Sequence, residues 1–259
     1  MKKVIFILLA VFLFIGCSKD SDNDDPKKSI DKSANLQTTG SSANAILSNT
    51  DFEKLAIEIG YVQGHMPSDD AISGFVNFIK ARTFKNNITV TYKPLLSPNE
   101  ETLTLEKVSD LEAENRTVYN EDKTLAIYIY FADAPSDEDK PDEDAVTLGA
   151  VYRNTSMVIY EKTIKDIAAK SVLLTEAALE ETTLNHELGH LMGLVNLGST
   201  MVNDHADTEA QNHCNVDGCL MSAQLTFAAG AKKMLLASKN APPEIDAECL
   251  ADLKANGGR

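Results

Sequence analysis

The hydrophobic positions of the chain change their spacing several times, which predicts alternating strands and helices. β-Branched, alternating or continuous apolar runs predict strands at 54–62, 87–93, 124–132 and 155–162. Apolar residues at helical spacing predict helices at 68–84, 105–119, 163–170 and about 175–195, with two more near 224–239 and 243–255. This order of elements predicts an α/β sheet domain that covers residues 46–259, with a small helical subdomain at its C-terminal end.

The first sixteen residues have the pattern of an export signal. Lys2 and Lys3 precede an unbroken apolar run from residue 4 to 15, which is too short to span a bilayer as a mature helix. The run ends in "FIGC", which resembles the lipobox of bacterial lipoproteins. The resemblance implies that residues 1–16 are a signal peptide and that Cys17 carries a lipid anchor. An ordinary secretory signal followed by an incidental cysteine is the alternative.

The segment from residue 17 to 45 is polar and nearly devoid of apolar side chains. Such a composition cannot bury enough surface to offset the chain entropy, so we expect a disordered tether behind the lipidated cysteine. The acids just after Cys17 resemble signals that send some lipoproteins to the outer cell surface, although a solvated linker would have the same composition. The expected location is therefore the bacterial cell envelope, anchored in the outer membrane and facing either side of it.

The charge of the chain restricts its partners. The sequence has 39 acidic and 24 basic side chains, a formal net charge of −15. This balance argues against nucleic acid and against anionic membrane surfaces as binding partners. An acidic stretch at 133–144 lacks the D-x-D-x-D-G spacing of a calcium loop, and a solvated surface loop is the better interpretation.

The predicted helix at 175–195 has two distinct faces. Leu184, Leu188, Leu191 and Val195 form an apolar stripe that should pack into the core. His186, the first residue of the stretch "HELGH" at 186–190, lies about 200° from Leu184 at 100° per residue, on the opposite side of the helix.

His186 and His190 are four residues apart, so both imidazoles lie on one face, one turn apart, within reach of a single zinc ion. Glu187 lies beside that position, where it could accept a proton from an attacking water. The H-E-x-x-H spacing is therefore typical of a hydrolytic zinc site. The alternative is two histidines that only form hydrogen bonds on a solvent-facing helix.

The sequence around this helix resembles a known clan. H-E-x-x-H-x-x-G, which ends at Gly193, resembles the metzincin zinc metalloproteases, but Asn196 stands where their third histidine is expected. Further on, "HCNVDGCLM" at 213–221 resembles the archaemetzincin family, here separated from the first half by an insertion at 194–212. The resemblance implies a zincin-like α/β fold with a twisted mixed sheet, whose edge strand at 155–162 would border the cleft.

The same resemblance implies roles for individual residues. His186, His190 and His213 would be ligands of one catalytic Zn²⁺ ion, Glu187 the general base, and Met221 the Met-turn beneath the metal. His205 is the main alternative for the third ligand, and Asp204, Asp207 and Asn196 are lesser ones. The family's further C-x-x-C pair, which helps to hold a second zinc, is absent from this sequence, so a second ion is not expected.

Cys214, Cys219 and Cys249 remain once Cys17 is assigned to the lipid. An exported protein is found where disulfides persist, so we expect one pair among the three. The short loop between Cys214 and Cys219 predicts a disulfide there, with Cys249 free and buried.

These features predict a zinc-dependent metalloendopeptidase that is anchored by lipid, acts as a monomer and cleaves a peptide or protein substrate. Two alternatives belong to other classes. One is a catalytically silent lipoprotein that keeps a zincin scaffold for binding, which the displaced third ligand and Ala223 in place of a frequent metzincin tyrosine would suit. The other is a zinc hydrolase of non-peptide bonds, because the motif defines the metal chemistry better than the substrate.

Overall fold

The computed structural model describes residues 31–140, 142, 145–225 and 228–259. The predicted signal peptide at 1–16, the lipidation site Cys17 and the first part of the predicted tether lie outside these residues. Among the residues described, no helix is both long and apolar enough to cross a membrane.

The centre of the domain is a five-stranded mixed sheet. Its strands are β1 (Lys54–Val62), β2 (Asn87–Leu95), β3 (Thr124–Phe131), β4 (Gly149–Arg153) and β5 (Ser156–Ile159). The strand order is β2-β1-β3-β5-β4; the first three neighbouring pairs are parallel, and β4 runs antiparallel to β5. The α/β sheet domain predicted from the sequence is thereby confirmed.

Helices cover both faces of this sheet. They are α1 (Ala43–Leu47), α2 (Asp69–Arg82), α3 (Leu105–Asn115), α4 (Glu161–Ala168), α5 (Glu176–Leu191), α6 (Ala228–Ala237) and α7 (Ala247–Ala255). Hydroxyl groups define three of their starts, because Ser68, Thr104 and Thr175 each accept a hydrogen bond from the backbone N–H three residues later.

The central strand β3 shows why its sequence is an almost continuous apolar run. Ile127 and Ile129 belong to the larger core, which also contains the buried side chains of α2 and α5. Tyr128 and Tyr130 point to the other face, into a smaller core that includes Val108 of α3. A strand that is covered on both faces needs apolar side chains at consecutive positions. The two C-terminal helices also contribute to the larger core, through Leu235, Cys249 and Leu253.

The edge of the sheet next to α5 differs from the prediction. The strand predicted at 155–162 is β5, and it lies between β3 and β4 rather than at the edge. The edge strand is β4, which the sequence pattern did not reveal, because five residues with only partial burial give little periodicity. A two-residue turn at Asn154 and Thr155 joins β4 to β5 as a hairpin.

The prediction that residues 17–45 are disordered is wrong from residue 33 onward. Residues 33–35 form a turn of 3-10 helix, and α1 follows. Asn35 is completely buried, and its amide donates to Asn120, Ala126 and Thr155. Polar side chains anchor this segment through specific hydrogen bonds, so it can be ordered despite its low apolar content.

Candidate metal centre

Helix α5 is buried on both sides, not only along its leucine stripe. Leu184, Leu188 and Leu191 are fully buried against the sheet. On the other side, His186 and His190 are 2% and 7% exposed. A solvent-facing pair of histidines is therefore not what the structure contains.

Three histidines converge at this side of α5. The ring nitrogens of His186, His190 and His213 offer three ligand atoms that lie within 4.8 Å of one another. The Nε2 atoms of His186 and His190 are 3.1 Å apart. Three nitrogens bound to one zinc at about 2.0–2.1 Å would be separated by roughly 3.3 Å, so this spacing fits a zinc ion.

The orientation of His186 is set by the backbone of the loop that follows α5. Its Nδ1–H donates to the carbonyl oxygen of Leu220 at 2.7 Å. The imidazole therefore carries its proton on Nδ1, and the lone pair on Nε2 faces the other two histidines. A backbone acceptor behind a metal-binding histidine selects the tautomer in this way.

Burial keeps the three imidazoles in the form that binds metals. It lowers the pKa of His186 to about 4, with His213 acting in the same direction. It also lowers the pKa of His190 well below its ordinary value, again reinforced by the neighbouring histidines. The pKa of His213 is lowered for the same reason. Neutral imidazoles have a free lone pair, so the donor set fits Zn²⁺.

Of the candidates for a third ligand, the structure brings only His213 to the pair on α5. His205 is buried elsewhere, against Asp252 and Cys214. Asn196 is exposed and adopts a positive φ of 67°, in the turn that follows the helix. Asp204 is exposed as well, and Asp207 accepts hydrogen bonds from Glu209 and Ala210.

Glu187 lies next to the three histidines and is 5% exposed. Burial raises the pKa of its carboxyl to about 8, while a hydrogen bond from the backbone of Val151 on β4 opposes that shift. The strand approaches closely here, because a Cβ on Gly149 would lie 3.1 Å from Glu187 Oε1. Edge strand β4 therefore positions the carboxylate from one side.

Met221 packs against α5, the helix that carries His186 and His190. A Cβ built on Gly189 would lie 2.2 Å from the Met221 sulfur, so the helix needs a glycine at this point. The loop that carries Met221 is held by a backbone hydrogen bond from Cys214 N–H to Met221 O at 2.8 Å. The Met221 side chain is therefore in close contact with the helix that carries His186 and His190.

A cleft of about 390 Å³ opens above the three histidines. Glu187 and the backbone of β4 form part of its wall, and the polar side chains of Glu138, Thr147 and Asn212 also line it. The site is accessible to a ligand, and an extended edge strand runs along it.

The disulfide predicted between Cys214 and Cys219 is absent. All three remaining cysteines are free thiols, and Cys249 lies with the other two. Their sulfurs and a carboxylate oxygen of Asp246 are within 4.8 Å of one another. The loop from 214 to 219 directs its two sulfurs toward α7, which brings in Cys249, so the thiols share a common centre.

Several groups at this site could not be found from sequence spacing. The Leu220 carbonyl and the Val151 N–H act through the backbone, which leaves no residue-type signature. Asp246 and Cys249 come from α7, at least 25 residues beyond the loop they face. Only the cysteine count indicated Cys249, and it suggested a free thiol.

The geometry defines a mixed α/β domain with a three-histidine group and an adjacent glutamate in an open cleft. No family model matches the sequence, and no curated protein matches it. Among solved structures, the chain is similar to archaemetzincin from Methanopyrus kandleri, with 15% sequence identity and a TM-score of 0.49. The similarity covers 80% of this chain and 96% of that one.

Proposed function

We propose that the protein is a zinc-dependent metalloendopeptidase. The observation that carries this proposal is the convergence of three neutral imidazoles, two of them buried and that of His213 half-buried, beside Glu187 in an open cleft. Three nitrogen ligands leave a fourth position of a tetrahedral ion for water or substrate, which is the arrangement of a catalytic rather than a structural zinc.

A zinc ion bound here would polarise the scissile carbonyl and make an attacking water more acidic. Glu187 accepts the proton of that water as it attacks the carbonyl carbon, and then passes the proton to the nitrogen of the leaving amine. A nearby cation also favours the ionised form of a carboxyl group, so metal binding would bring the raised pKa of Glu187 back toward its ordinary range.

The cleft favours an extended peptide as the substrate. Strand β4 is the edge of the sheet and lines the cleft with residues 149–151. The edge of a sheet can bind an extended chain through main-chain hydrogen bonds, which a sugar or a small ester would not use. A peptide substrate therefore fits this cleft better than the non-peptide substrates of the alternative hydrolase.

We also propose that the enzyme is located in the bacterial cell envelope. The pattern of residues 1–17 supports a lipid anchor on Cys17 in the bacterial cell envelope, with the folded domain acting as a monomer on peptides or proteins outside the cytoplasm. The acidic balance of the chain is consistent with the absence of nucleic acid among its partners.

A mixed peptide library tests the activity. The full folded domain from residue 31 is incubated with the library, with and without a chelator, and new peptide termini are identified by mass spectrometry. We expect cleavage that the chelator abolishes and that added Zn²⁺ restores. A zinc-loaded protein that cleaves no peptide, but hydrolyses esters or binds peptides intact, would support one of the alternative functions.

A further inference from the structure

We propose that the substrate of this enzyme is a basic peptide, and that Glu138 recognises a lysine or arginine side chain of that peptide in the cleft. The inference rests on the proposed peptidase function and narrows its substrate class. Glu138 belongs to the acidic stretch at 133–144, for which the sequence indicated only a solvated surface loop. In the structure, it is one of the residues that line the cleft above the three histidines.

The loop that carries Glu138 is held in place on both sides of this residue. Before it, Ser136 is buried, and its Oγ accepts a hydrogen bond from Glu138 N–H at 3.2 Å. After it, a carboxylate oxygen of Asp139 accepts a hydrogen bond from Thr147 N–H at 2.7 Å. Thr147 also lines the cleft, two residues before Gly149, the first residue of β4. Glu138 is therefore fixed close to the start of the edge strand.

Glu138 is the acidic group of the cleft that remains free for the substrate. Among the described residues that line the cleft, the only acids are Glu138 and Glu187, and none is a lysine or an arginine. Glu187 has the attacking water as its partner in the proposed reaction, and the histidines are neutral because burial lowers their pKa values. No ion pair among the described residues includes Glu138. A positively charged side chain of the substrate therefore has one acidic partner available in the cleft.

The charge and exposure of Glu138 define an order of preference among peptides. The residue is exposed, so a neutral side chain beside it leaves the carboxylate in contact with water at little cost. A lysine or arginine gains an ion pair there. An aspartate or glutamate meets a like charge, and no basic side chain among the described lining residues offsets it. The net charge of the chain, −15, acts in the same direction, because it attracts positively charged peptides over a longer range.

Pairing of the substrate with β4 confines this preference to one position of the peptide. Successive side chains of an extended chain point to opposite faces, with a rise of about 3.3 Å per residue. A peptide held in register by main-chain hydrogen bonds to the edge strand presents the same side chain to Glu138 in every productive complex. We therefore expect a preference at a fixed distance from the scissile bond, and not a response to the total charge of the peptide.

The test begins with the zinc-loaded full-length protein and the mixed peptide library. We expect new termini with lysine or arginine enriched at one fixed position relative to the scissile bond. One cleaved peptide is then made in three forms, with lysine, glutamine or glutamate at that position. We expect kcat/KM to fall by about 2- to 5-fold from the lysine to the glutamine form, and to fall again for glutamate. The change should lie mainly in KM, because Glu138 contacts a side chain that does not react.

Two variants and a matched control assign the preference to Glu138. Glu138→Gln should remove the difference between the lysine and glutamine peptides, and Glu138→Lys should make the glutamate peptide the best of the three. Asp137→Asn is the control, because Asp137 is exposed in the same loop but does not line the cleft, and its replacement removes the same charge from the chain. This control should keep the full preference for lysine. Equal losses of preference in Glu138→Gln and Asp137→Asn would overturn the assignment, because the general acidity of the loop would then select the peptide.

The outcomes separate this inference from the proposed function. Cleavage without enrichment of lysine or arginine at any position would overturn the inference and leave the peptidase function intact. If the wild type cleaves no peptide, the proposed function fails, and binding then decides the inference. Fluorescence polarisation compares a labelled peptide pool that contains lysine with the same pool in which glutamine replaces it. Tighter binding of the lysine pool, lost in Glu138→Gln but kept in Asp137→Asn, supports recognition by Glu138, whereas equal affinities for the two pools overturn it.

Discussion

Gly189 on α5 and Met221 on the loop that follows the helix are in direct contact. There is no room for even one methyl group between them, because a Cβ on Gly189 would lie 2.2 Å from the Met221 sulfur. A glycine inside a helix costs about 1 kcal/mol relative to alanine, so the close packing of the loop is what this residue makes possible.

Gly189→Ala should therefore destabilise the protein in spite of its better helix propensity. Overpacking of a core contact costs about 1–3 kcal/mol, and the displaced loop would also move Leu220 and His213. Chemical denaturation measures the loss, and zinc content reports the displacement. Gly189→Ala/Met221→Ala is the control, since the shorter side chain makes room for the added methyl. If the double variant loses as much as the two single changes together, the two residues are not coupled.

Glu187→Gln should keep the fold and the bound zinc but reduce peptide cleavage by several orders of magnitude. The amide has nearly the same shape as the carboxyl group, yet it cannot accept the proton of the attacking water. Steady-state cleavage of any peptide found in the library measures the effect. Glu181→Gln is the matched control, because Glu181 lies on the same helix but lines a different cavity with Arg82. Equal losses in both variants would point to damage to the helix.

His213→Ala should remove the zinc ion of the three-histidine site. A catalytic zinc with three protein ligands loses most of its affinity when one of them is deleted. Asn196→Gly is the control, because Asn196 occupies the sequence position of the expected ligand but is exposed at a φ of 67°, which glycine adopts easily. Metal analysis should show one zinc fewer in His213→Ala only. Loss of zinc in Asn196→Gly would return the role to that position.

The elements with strong periodicity could be predicted well from the sequence. The predicted strand at 54–62 coincides with β1, and the helix predicted at 68–84 is α2 with its cap at Ser68. Both have side chains whose burial follows the period of the element. Strand β4 is short and only partly buried at four of its five positions, so its pattern was too weak to detect.

The first half of the candidate metal centre could also be predicted, because two histidines one helical turn apart leave a local pattern. The third histidine is 23 residues beyond His190, and its position depends on how the loop folds back. Only the resemblance of residues 213–221 to a known family suggested it. The grouping of the three free thiols of Cys214, Cys219 and Cys249 could not be predicted, because Cys249 belongs to a helix whose packing no local pattern encodes.

Cys17→Ala should release the protein from the membrane fraction. A lipid on this cysteine is the expected anchor, so a side chain that cannot be lipidated should leave the chain unattached. Fractionation of cells that express the full-length chain, followed by immunodetection, measures the change. Export of the variant in soluble form would agree with the lipid anchor, whereas a variant that stays in the membrane fraction would contradict it.

The last prediction concerns Glu161, a carboxyl group in the core at the start of α4. It is fully buried, and the Lys165 amine lies 3.3 Å from its Oε1. Burial, followed by the nearby charge of Glu180, raises the pKa of Glu161 to about 9.

In the window from the ordinary pKa of a glutamate, near 4.5, to about 9, the unfolded chain releases this proton while the folded protein keeps it. The stability that Glu161 contributes is thus complete below the window and is lost as the pH rises through it. Glu161→Gln has no proton to release. The free energy of unfolding of this variant, relative to that of the wild type, should therefore increase between pH 5.5 and 9. With about 1.4 kcal/mol for each pKa unit, the gain should be on the order of a few kcal/mol. Urea unfolding of both zinc-loaded proteins across this range measures the difference. Any pH dependence of metal binding at the histidines affects both proteins equally and cancels in the comparison. If the two plots of unfolding free energy against pH are parallel, Glu161 is ionised in the folded protein.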